Sequence, residues 1–181
     1  RKVLEIYATS IDYDPGEEAS QLFFATVQNK MHWAAHGHTA AEIVHGRADA
    51  ARPNMGLTNW QGARPTREEA VIAKNYLTAK ELEALNRIVN AYLEFAELQA
   101  LSRKPMYMRD WISKLEAFLR LGERGILTHA GTISHEQALR KAELEFEEYR
   151  GRQLVRTSQV EKDFDEAVKR LPKPRKRRKA D

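Results

Sequence analysis

Apolar residues recur at helical spacing along almost the whole chain, and the strict alternation typical of an exposed β-strand is hard to find. The clearest apolar stripe lies between about 79 and 103 and consists of Leu82, Leu85, Val89, Tyr92, Leu93 and Ala96. Charged residues lie mostly off this stripe, as in a helix with one face on a protein core. We therefore expect an all-α fold, a single globular multi-helix domain with this long helix at its centre.

Three helix starts carry the capping-box pattern, in which a Thr and a Glu three residues later exchange hydrogen bonds between side chain and backbone. The boxes are Thr39-Ala-Ala-Glu42, Thr66-Arg-Glu-Glu69 and Thr78-Ala-Lys-Glu81. They predict a short helix over about 40–46, a second helix that ends near Tyr76, and the long helix, which runs to about Arg103.

Apolar spacing and helix breakers predict the remaining helices. The recurrence of Phe23, Val27, Met31 and Ala34 at intervals of four, four and three indicates a helix over about 17–35, which His36-Gly37 ends. Another helix, marked by Trp111, Leu115, Phe118 and Leu119, is closed by Gly122.

Two more helices are predicted towards the carboxyl end. One opens at Ser134, and we expect Gly151 to end or interrupt it. The second is a last amphipathic helix marked by Phe164, Val168 and Leu171, which stops before Pro172. If the apolar stripe of residues 160–171 packs on another copy of the chain, the domain serves homo-oligomerisation, which is one of the alternatives for its role.

The segment from Gly46 to Pro65 has no sustained periodicity and reads as a long loop. A loop of this length in a compact domain is usually functional or disordered, and this one carries too many large side chains for disorder. We therefore expect an ordered loop that packs on the long helix near Asn86 and Arg87 and gathers polar side chains there.

Composition excludes several classes of protein. The 181 residues are 42% hydrophobic and 31% charged, which suits one domain with a core, and no apolar run approaches the length that crosses a bilayer. The chain has no cysteine, which excludes disulfides, thiolate catalysis and Cys-based metal sites. This fits a reducing compartment, so we expect a cytoplasmic protein without membrane partners.

The net charge of +4 is concentrated at the carboxyl end. Six cations stand there against Asp181: Lys173, Arg175, Lys176, Arg177, Arg178 and Lys179. We therefore divide the chain into an all-helical domain over residues 1–171, close to neutral, and a basic disordered tail over 172–181. Such a tail either solubilises the protein or binds nucleic acid non-specifically.

Several motifs resemble, in their order, the C-terminal region of the RhuM family, which are bacterial proteins associated with virulence. They include His36-Gly37-His38-Thr39-Ala-Ala-Glu42, Arg47-Ala-Asp49, Pro53-Asn54-Met55-Gly56-Leu57-Thr58, Lys74-Asn75-Tyr76-Leu77, Leu85-Asn86-Arg87-Ile88-Val89 and Asp110-Trp111. The resemblance covers roughly Ile6 to Arg150 and leaves out the chain beyond Gly151. It implies that a DNA-binding-like region precedes Arg1 in the full protein. It implies no established chemistry.

One candidate chemistry is catalysis on a nucleotide or nucleic acid. His36 or His38 is the candidate general base, Glu42 or Asp49 the acid or metal partner, and Arg47 the phosphate-binding residue. The order His38, Glu42, Gly46, Arg47 is weakly similar to Fic and Doc transferases, although their Pro-Phe and Gly-Asn-Gly are absent.

A metal site is a separate hypothesis for the same region. His32 and His36 lie four residues apart, as two ligands of a divalent metal would, with Glu42, Asp49 or His45 as a third. The metal and any other cofactor stay unassigned. The alternative throughout this segment is that the side chains serve as helix caps and packing.

A second candidate chemistry is an anion-binding or nucleotide-binding pocket, with Trp60 and Tyr76 as stacking surfaces. Its candidate residues are Arg47, Arg52, Asn54, Lys74, Asn75, Asn86 and Arg87. The alternative is that these side chains tie the loop to the long helix.

Our leading hypothesis is an effector or interaction domain of a RhuM-like, DNA-associated regulatory or toxin-like protein. Convergence of His36, Glu42, Arg47 and Asp49 around a cleft would favour an enzyme. Side chains that point apart, or that are used by caps, would weaken the enzyme hypothesis.

Overall fold

The structure is a computed structural model that describes residues 10–14, 16–102 and 104–170. Within these ranges the chain is helical and has no β-strand, which confirms the all-α prediction. The described residues form six α-helices in the order α1 Glu18–His36, α2 Ala40–Arg47, α3 Arg67–Ala70, α4 Ala79–Leu101, α5 Met108–Leu121 and α6 His135–Arg170. Two 3-10 turns, Pro53–Gly56 and Ala73–Tyr76, flank α3. No helix in the described ranges is long and apolar enough to cross a membrane.

Helix α1 packs against α4 and α5 through the apolar face that the sequence predicts. Phe23, Val27, Met31 and Ala34 are all buried. The helix ends at Gly37, which has φ of 77° and donates its backbone N–H to the carbonyl of Trp33. Only a residue without a Cβ adopts this left-handed conformation without strain, so glycine fixes where α1 stops.

Helix α4 confirms the predicted long helix, and its inner face packs mainly on α1 and reaches α5 through Tyr92. Leu85, Ile88, Tyr92 and Ala96 are buried on that face. The Tyr92 hydroxyl donates to the carbonyl of Trp111 over 3.0 Å, so that a buried polar group is satisfied across the two helices.

The three capping boxes form as predicted, with both hydrogen bonds of each box present. The helix predicted from Thr66 to near Tyr76 is nevertheless wrong in extent, because α3 is a single turn that ends at Ala70. Ile72 takes extended backbone, and the chain resumes as the 3-10 turn. The break lets the Tyr76 hydroxyl reach the carbonyl of Ala70 at 2.7 Å in the core. This side-chain bond joins residues only six apart, cannot form in a continuous helix, and outweighs the helix propensity of the segment.

Gly151 does not end or interrupt the final helix, contrary to the sequence prediction, because α6 continues from His135 to Arg170. A glycine inside a helix costs only about 1 kcal/mol, and no proline or capping residue accompanies it. The predicted last helix is therefore the distal part of α6. Leu171 and the basic tail over 172–181 lie outside the described residues, as does the proposed domain boundary between 171 and 172.

The long loop is ordered and carries buried side chains, as the sequence predicts, but it packs on different elements. Its backbone is fixed by hydrogen bonds from the Thr58 N–H to the Asn75 carbonyl, at 2.7 Å, and from the Ala50 N–H to the Glu145 carboxylate of α6, at 2.6 Å. The expected junction with Asn86 and Arg87 of α4 does not form. Its anchors are therefore α6 and the Ala73–Tyr76 turn.

A left-handed turn closes this loop against the end of α2. Asn54, Met55 and Gly56 have φ of 51°, 60° and 82°, a left-handed conformation that Gly and Asn tolerate but that is strained for Met55. Met55 is completely buried, which holds the turn in place. A Cβ on Gly56 would lie 2.4 Å from the carbonyl oxygen of Arg47, so the backbones approach too closely for any side chain.

We predict that Gly56→Ala lowers the free energy of unfolding by more than about 2 kcal/mol, because it adds left-handed strain and a clash with backbone. Urea denaturation measures the change. The matched control is Gly46→Ala, an exposed helical site where a Cβ meets nothing within 4 Å. This control gains about 0.5–1 kcal/mol from reduced chain entropy and better helix propensity. Equal effects of the two substitutions would contradict the described turn.

Candidate functional site

Arg47 forms the main polar connection between α2 and α4. Its guanidinium donates to both carboxylate oxygens of Glu81, at 2.7 and 2.6 Å, and to the Tyr76 carbonyl at 2.8 Å. Glu81 also accepts from the Thr78 N–H in its capping box. The hydrogen bonds from Arg47, followed by those from Thr78, lower the pKa of Glu81 to about 2. The predicted phosphate-binding guanidinium is therefore already occupied by a carboxylate.

Glu42 is equally engaged. One carboxylate oxygen accepts from the Thr39 N–H at 2.8 Å, and the other accepts from both the N–H and the hydroxyl of Thr132 at 2.8 Å. Partial burial alone raises its pKa, but these hydrogen bonds outweigh that effect and lower it to about 2. Glu42 is thus an ionised cap that also joins α2 to the segment before α6. It has no proton to deliver near pH 7.

Asp49 and Arg52 interact within the loop instead of facing the histidines. Asp49 accepts from the Ala51 N–H at 2.8 Å, and its second oxygen lies 3.4 Å from Nε of Arg52. Both side chains are largely exposed. Asn54 is part of the left-handed turn and does not join the other candidate residues in a pocket. The structure therefore does not bring Asp49, Arg52 and Asn54 together with His36 and Glu42.

Three histidines meet at the end of α1. Nδ1 of His32 and Nε2 of His36 are 3.0 Å apart, and Nδ1 of His38 lies 3.0 Å from the His36 carbonyl. Burial, with a smaller contribution from His36, lowers the pKa of His32 to about 4. Burial also lowers the pKa of His36. Both rings are therefore neutral near pH 7, so one must donate to the other.

The direction of that hydrogen bond follows from the second nitrogen of His36. Nδ1 of His36 is buried with no hydrogen-bond partner in the described part of the chain. A buried N–H without a partner costs more than an unpaired acceptor lone pair, so the proton of His36 is assigned to Nε2. His36 then donates to His32, whose own proton is placed on Nε2. His32 consequently presents an N–H donor at its far end.

The remaining predicted anion-binding residues are dispersed. Arg87 is exposed and pairs with Glu83 on its own helix at 2.7 Å, and Asn86 beside it is exposed. Asn75 is buried and donates to the Glu69 carbonyl at 3.0 Å, which is a structural role. Lys74 differs from the others because it is exposed, has no ion pair among the described residues, and lines a groove.

The two predicted stacking rings are also placed apart from any open anion site. Tyr76 is buried and uses its hydroxyl within the core. Trp60 is half-buried against the core. Neither the predicted pocket nor its stacking surfaces is assembled at the loop.

Sequence reasoning missed this groove, which has a volume of about 720 Å³ and lies between α1, the start of α2, residues 71–74 and the start of α6. Its polar lining includes Asn29, His32, Lys74 and His135, and one acid, Glu18, lies on the lining as well. The rest is mainly apolar, from Leu22, Ala25, Val44, Val71, Ile133 and Leu139. This volume lies in the usual range for small-molecule sites.

Three groups on the groove lining keep the capacity to donate a hydrogen bond. Asn29 uses its carbonyl oxygen to accept from the Ala40 N–H at 3.2 Å, which leaves its NH₂ group to donate. His32 is 96% buried and its Nε2 makes no hydrogen bond among the described residues. Lys74 adds a cation. Such a lining suits a ligand rich in acceptor atoms.

The donor set does not fit a metal ion as well. Among the described residues, no group of three or more His, Asp or Glu side chains is placed to hold one. His32 and His36, the predicted ligand pair, bond to each other. The third ligand suggested by the sequence, Glu42, is held by backbone and Thr132.

We predict that Glu81→Gln destabilises the fold by about 1–3 kcal/mol at pH 7, because it removes a half-buried, charge-assisted pair. Urea denaturation measures it, with the exposed Glu83→Gln as the matched control that changes stability little. An equal loss in both variants would show that the connection between α2 and α4 contributes no more than a surface ion pair.

Acid should weaken the fold through the same carboxylates. Because the pKa values of Glu81 and Glu42 are about 2 in the folded state and about 4.5 in the unfolded chain, the unfolded state takes up protons first as pH falls. Their contribution is complete above pH 4.5 and is lost towards pH 2. Denaturation curves at pH 6, 4 and 3 should therefore show a shallower acid loss for Glu81→Gln than for the natural chain.

NMR titration tests the histidine assignment. We expect His32 to stay neutral down to about pH 4 with its proton on Nε2, and His36 to carry its proton on Nε2 as well. Since the pKa of His32 is lowered on folding, its contribution to stability is complete above pH 6.5 and declines as pH falls to about 4. Titration of His32 near pH 6.5, or an Nδ1–H form, would contradict the assignment.

Comparison with known proteins supplies the family. No curated protein and no solved structure matches the chain. The model of the virulence protein RhuM family matches residues 1–157, which extends the resemblance in both directions beyond the Ile6–Arg150 segment and includes chain beyond Gly151. This match covers most of the sequence together with α1 to α5 and the packed part of α6. The chain belongs to the virulence protein RhuM family.

Proposed function

We propose that this chain is the effector or interaction domain of a RhuM-family protein, and that it acts by binding an anionic ligand of nucleotide type in the groove. The observation that carries the proposal is the contrast between two sets of side chains. Arg47, Glu42 and Asp49 are satisfied by other groups of the protein. His32 and Lys74 keep donor capacity towards the groove.

The polar lining supports an anionic head group. The Lys74 ammonium, the Asn29 amide and the His32 Nε2–H are donors of the kind that phosphate oxygens accept from. His135 and Ser134 at the start of α6 lie on the same lining, where the helix dipole favours negative charge. Glu18 is at the beginning of α1 and disfavours an anion close to it, which places the head group nearer Lys74.

The apolar lining supports a flat or apolar body attached to that head group. Leu22, Ala25, Ile133 and Leu139 offer surface that would otherwise stay in contact with water. A phosphate ion alone leaves this surface uncovered. A nucleotide satisfies both parts of the groove, and this is the reason that we favour it over a free anion.

Catalysis receives less support from the geometry. The Fic-like or Doc-like reading needs His38, Glu42 and Arg47 around one cleft, and Glu42 and Arg47 are occupied by Thr132 and Glu81. His38 is exposed and directed to the carbonyl of His36. The metal-assisted enzyme is also less supported, because Glu42, its candidate metal ligand, already accepts hydrogen bonds on both carboxylate oxygens.

We assign any DNA association of the full protein to parts outside the groove. The basic residues of the tail, six cations within 173–179, suit non-specific contacts to phosphate. A DNA-binding-like region before Arg1 is the second candidate. A cytoplasmic location is part of this proposal, since nucleic acid is the expected partner and the lack of cysteine fits a reducing compartment.

Ligand binding tests the proposal. Isothermal titration of the full chain with AMP should show saturable binding, and inorganic phosphate should bind more weakly. Lys74→Met should reduce the affinity for AMP by about tenfold, the loss expected for one charge-assisted hydrogen bond. Lys80→Met, an exposed lysine on α4 that does not line the groove, is the matched control and should bind as the natural chain does.

A second variant separates the groove from the general charge of the surface. Ala25→Trp places an indole in the apolar part of the groove at an exposed helical position, so it should reduce AMP binding while leaving the fold intact. Binding that survives both Lys74→Met and Ala25→Trp would overturn the groove as the site. If the natural chain turns AMP over and His38→Ala abolishes this turnover, the result would instead favour the enzyme.

A further inference from the structure

Helix α6 extends well past the part of the domain on which it packs. Ala138, Ala142 and Tyr149 are buried, so the proximal part belongs to the core. From Arg150 to Ala167, every described side chain is exposed except that of Gln153. At 1.5 Å per residue, the segment from Arg150 to Arg170 projects for about 30 Å.

The projecting segment carries an apolar stripe. Leu154, Val160 and Phe164 are 63%, 61% and 66% exposed, and at about 100° per residue they fall within one third of the helix circumference. Val155 is 72% exposed but lies on the opposite side. A helix of this length without tertiary contacts is only marginally stable in water, and exposed apolar side chains in a row usually mark a contact surface.

The charges along the segment indicate which partner fits. Arg150, Arg152 and Arg156 occupy its first third. Glu161, Asp163, Asp165 and Glu166 follow with Lys162 among them, and Lys169 and Arg170 end the segment. When two copies lie antiparallel, the basic third of each faces the acidic part of the other. When they lie parallel and in register, basic residues face basic residues and acidic residues face acidic residues, and this repulsion is unfavourable.

We propose that the projecting part of α6 pairs with the same segment of a second copy of this chain, in an antiparallel two-helix arrangement centred at about residue 158. Phe164 of one copy then packs beside the partner subunit's Gln153, and Val160 packs near the centre. Arg156, which has no ion pair among the described residues, faces the partner subunit's Asp163. The two domains lie at opposite ends of the pair.

This surface is separate from the groove of the proposed function. The groove uses only the first turns of α6, at Ser134, His135, Ala138 and Leu139. The pairing surface begins about ten residues later, or about 15 Å along the helix axis. Loss of pairing therefore leaves AMP binding intact, and loss of AMP binding leaves pairing intact.

Sedimentation equilibrium of the full chain measures the pairing. We expect a dimer at micromolar concentration, and Phe164→Glu should weaken it by at least tenfold because it places a charge in the stripe. Val155→Glu is the matched control, since it makes the same type of change in the same helix on the opposite face. Circular dichroism shows whether both variants stay folded. A natural chain that remains monomeric up to about 100 μM overturns the proposal.

Charge reversal tests the orientation. Arg156→Asp should weaken the dimer, and the double variant Arg156→Asp with Asp163→Arg should restore it, because the pair is reversed and kept. Failure of the double variant to restore the dimer overturns the assigned pairing of these two residues.

Cross-linking gives an independent measure, since the chain has no cysteine of its own. A mixture of the single variants Arg150→Cys and Ala167→Cys should oxidise to the mixed disulfide, as antiparallel neighbours do. Formation of only the two symmetrical disulfides would show parallel helices and overturn the proposal.

Discussion

The bidentate pair between Arg47 and Glu81 is the interaction on which the placement of the other elements depends. It joins the end of α2 to the first turn of α4, and the same carboxylate caps α4. With the carboxyl end of α2 fixed, the close approach of Gly56 to the Arg47 carbonyl sets the path of the loop. At the other end of α2, the Glu42 carboxylate holds the segment before α6. A short helix of eight residues thus organises the polar contacts of the domain.

These contacts also decide where chemistry is available. Several side chains that look catalytic or anion-binding in the sequence instead form hydrogen bonds and ion pairs between helices. They do so because a half-buried charge must be paired. The groove is left with groups that no other part of the described chain satisfies, namely the far nitrogen of His32 and the ammonium of Lys74. The proposed ligand site therefore consists of groups that the structural network does not use.

Prediction from sequence succeeded where the determining interactions are local. Each Thr and Glu of a capping box lies within one turn of its partner, and Gly37 ends α1 through a bond to Trp33 four residues away. It failed at Ile72, where a buried bond between Tyr76 and Ala70 breaks the helix, and at Gly151, where a local helix breaker is too weak to act. The groove was missed because Asn29, Lys74 and His135 come from three distant segments.

The sequence by itself determined the helical class, the family, most helix starts and the apolar faces of α1 and α4, because these follow from periodicity and from contacts within a few residues. Only the tertiary structure decided which partners Arg47, Glu42 and His32 have. A charged or polar side chain can bond to several groups of equal chemistry, and the packing of helices far apart in the chain selects one of them. That selection separates the side chains that hold the fold from those on which the proposed ligand site depends.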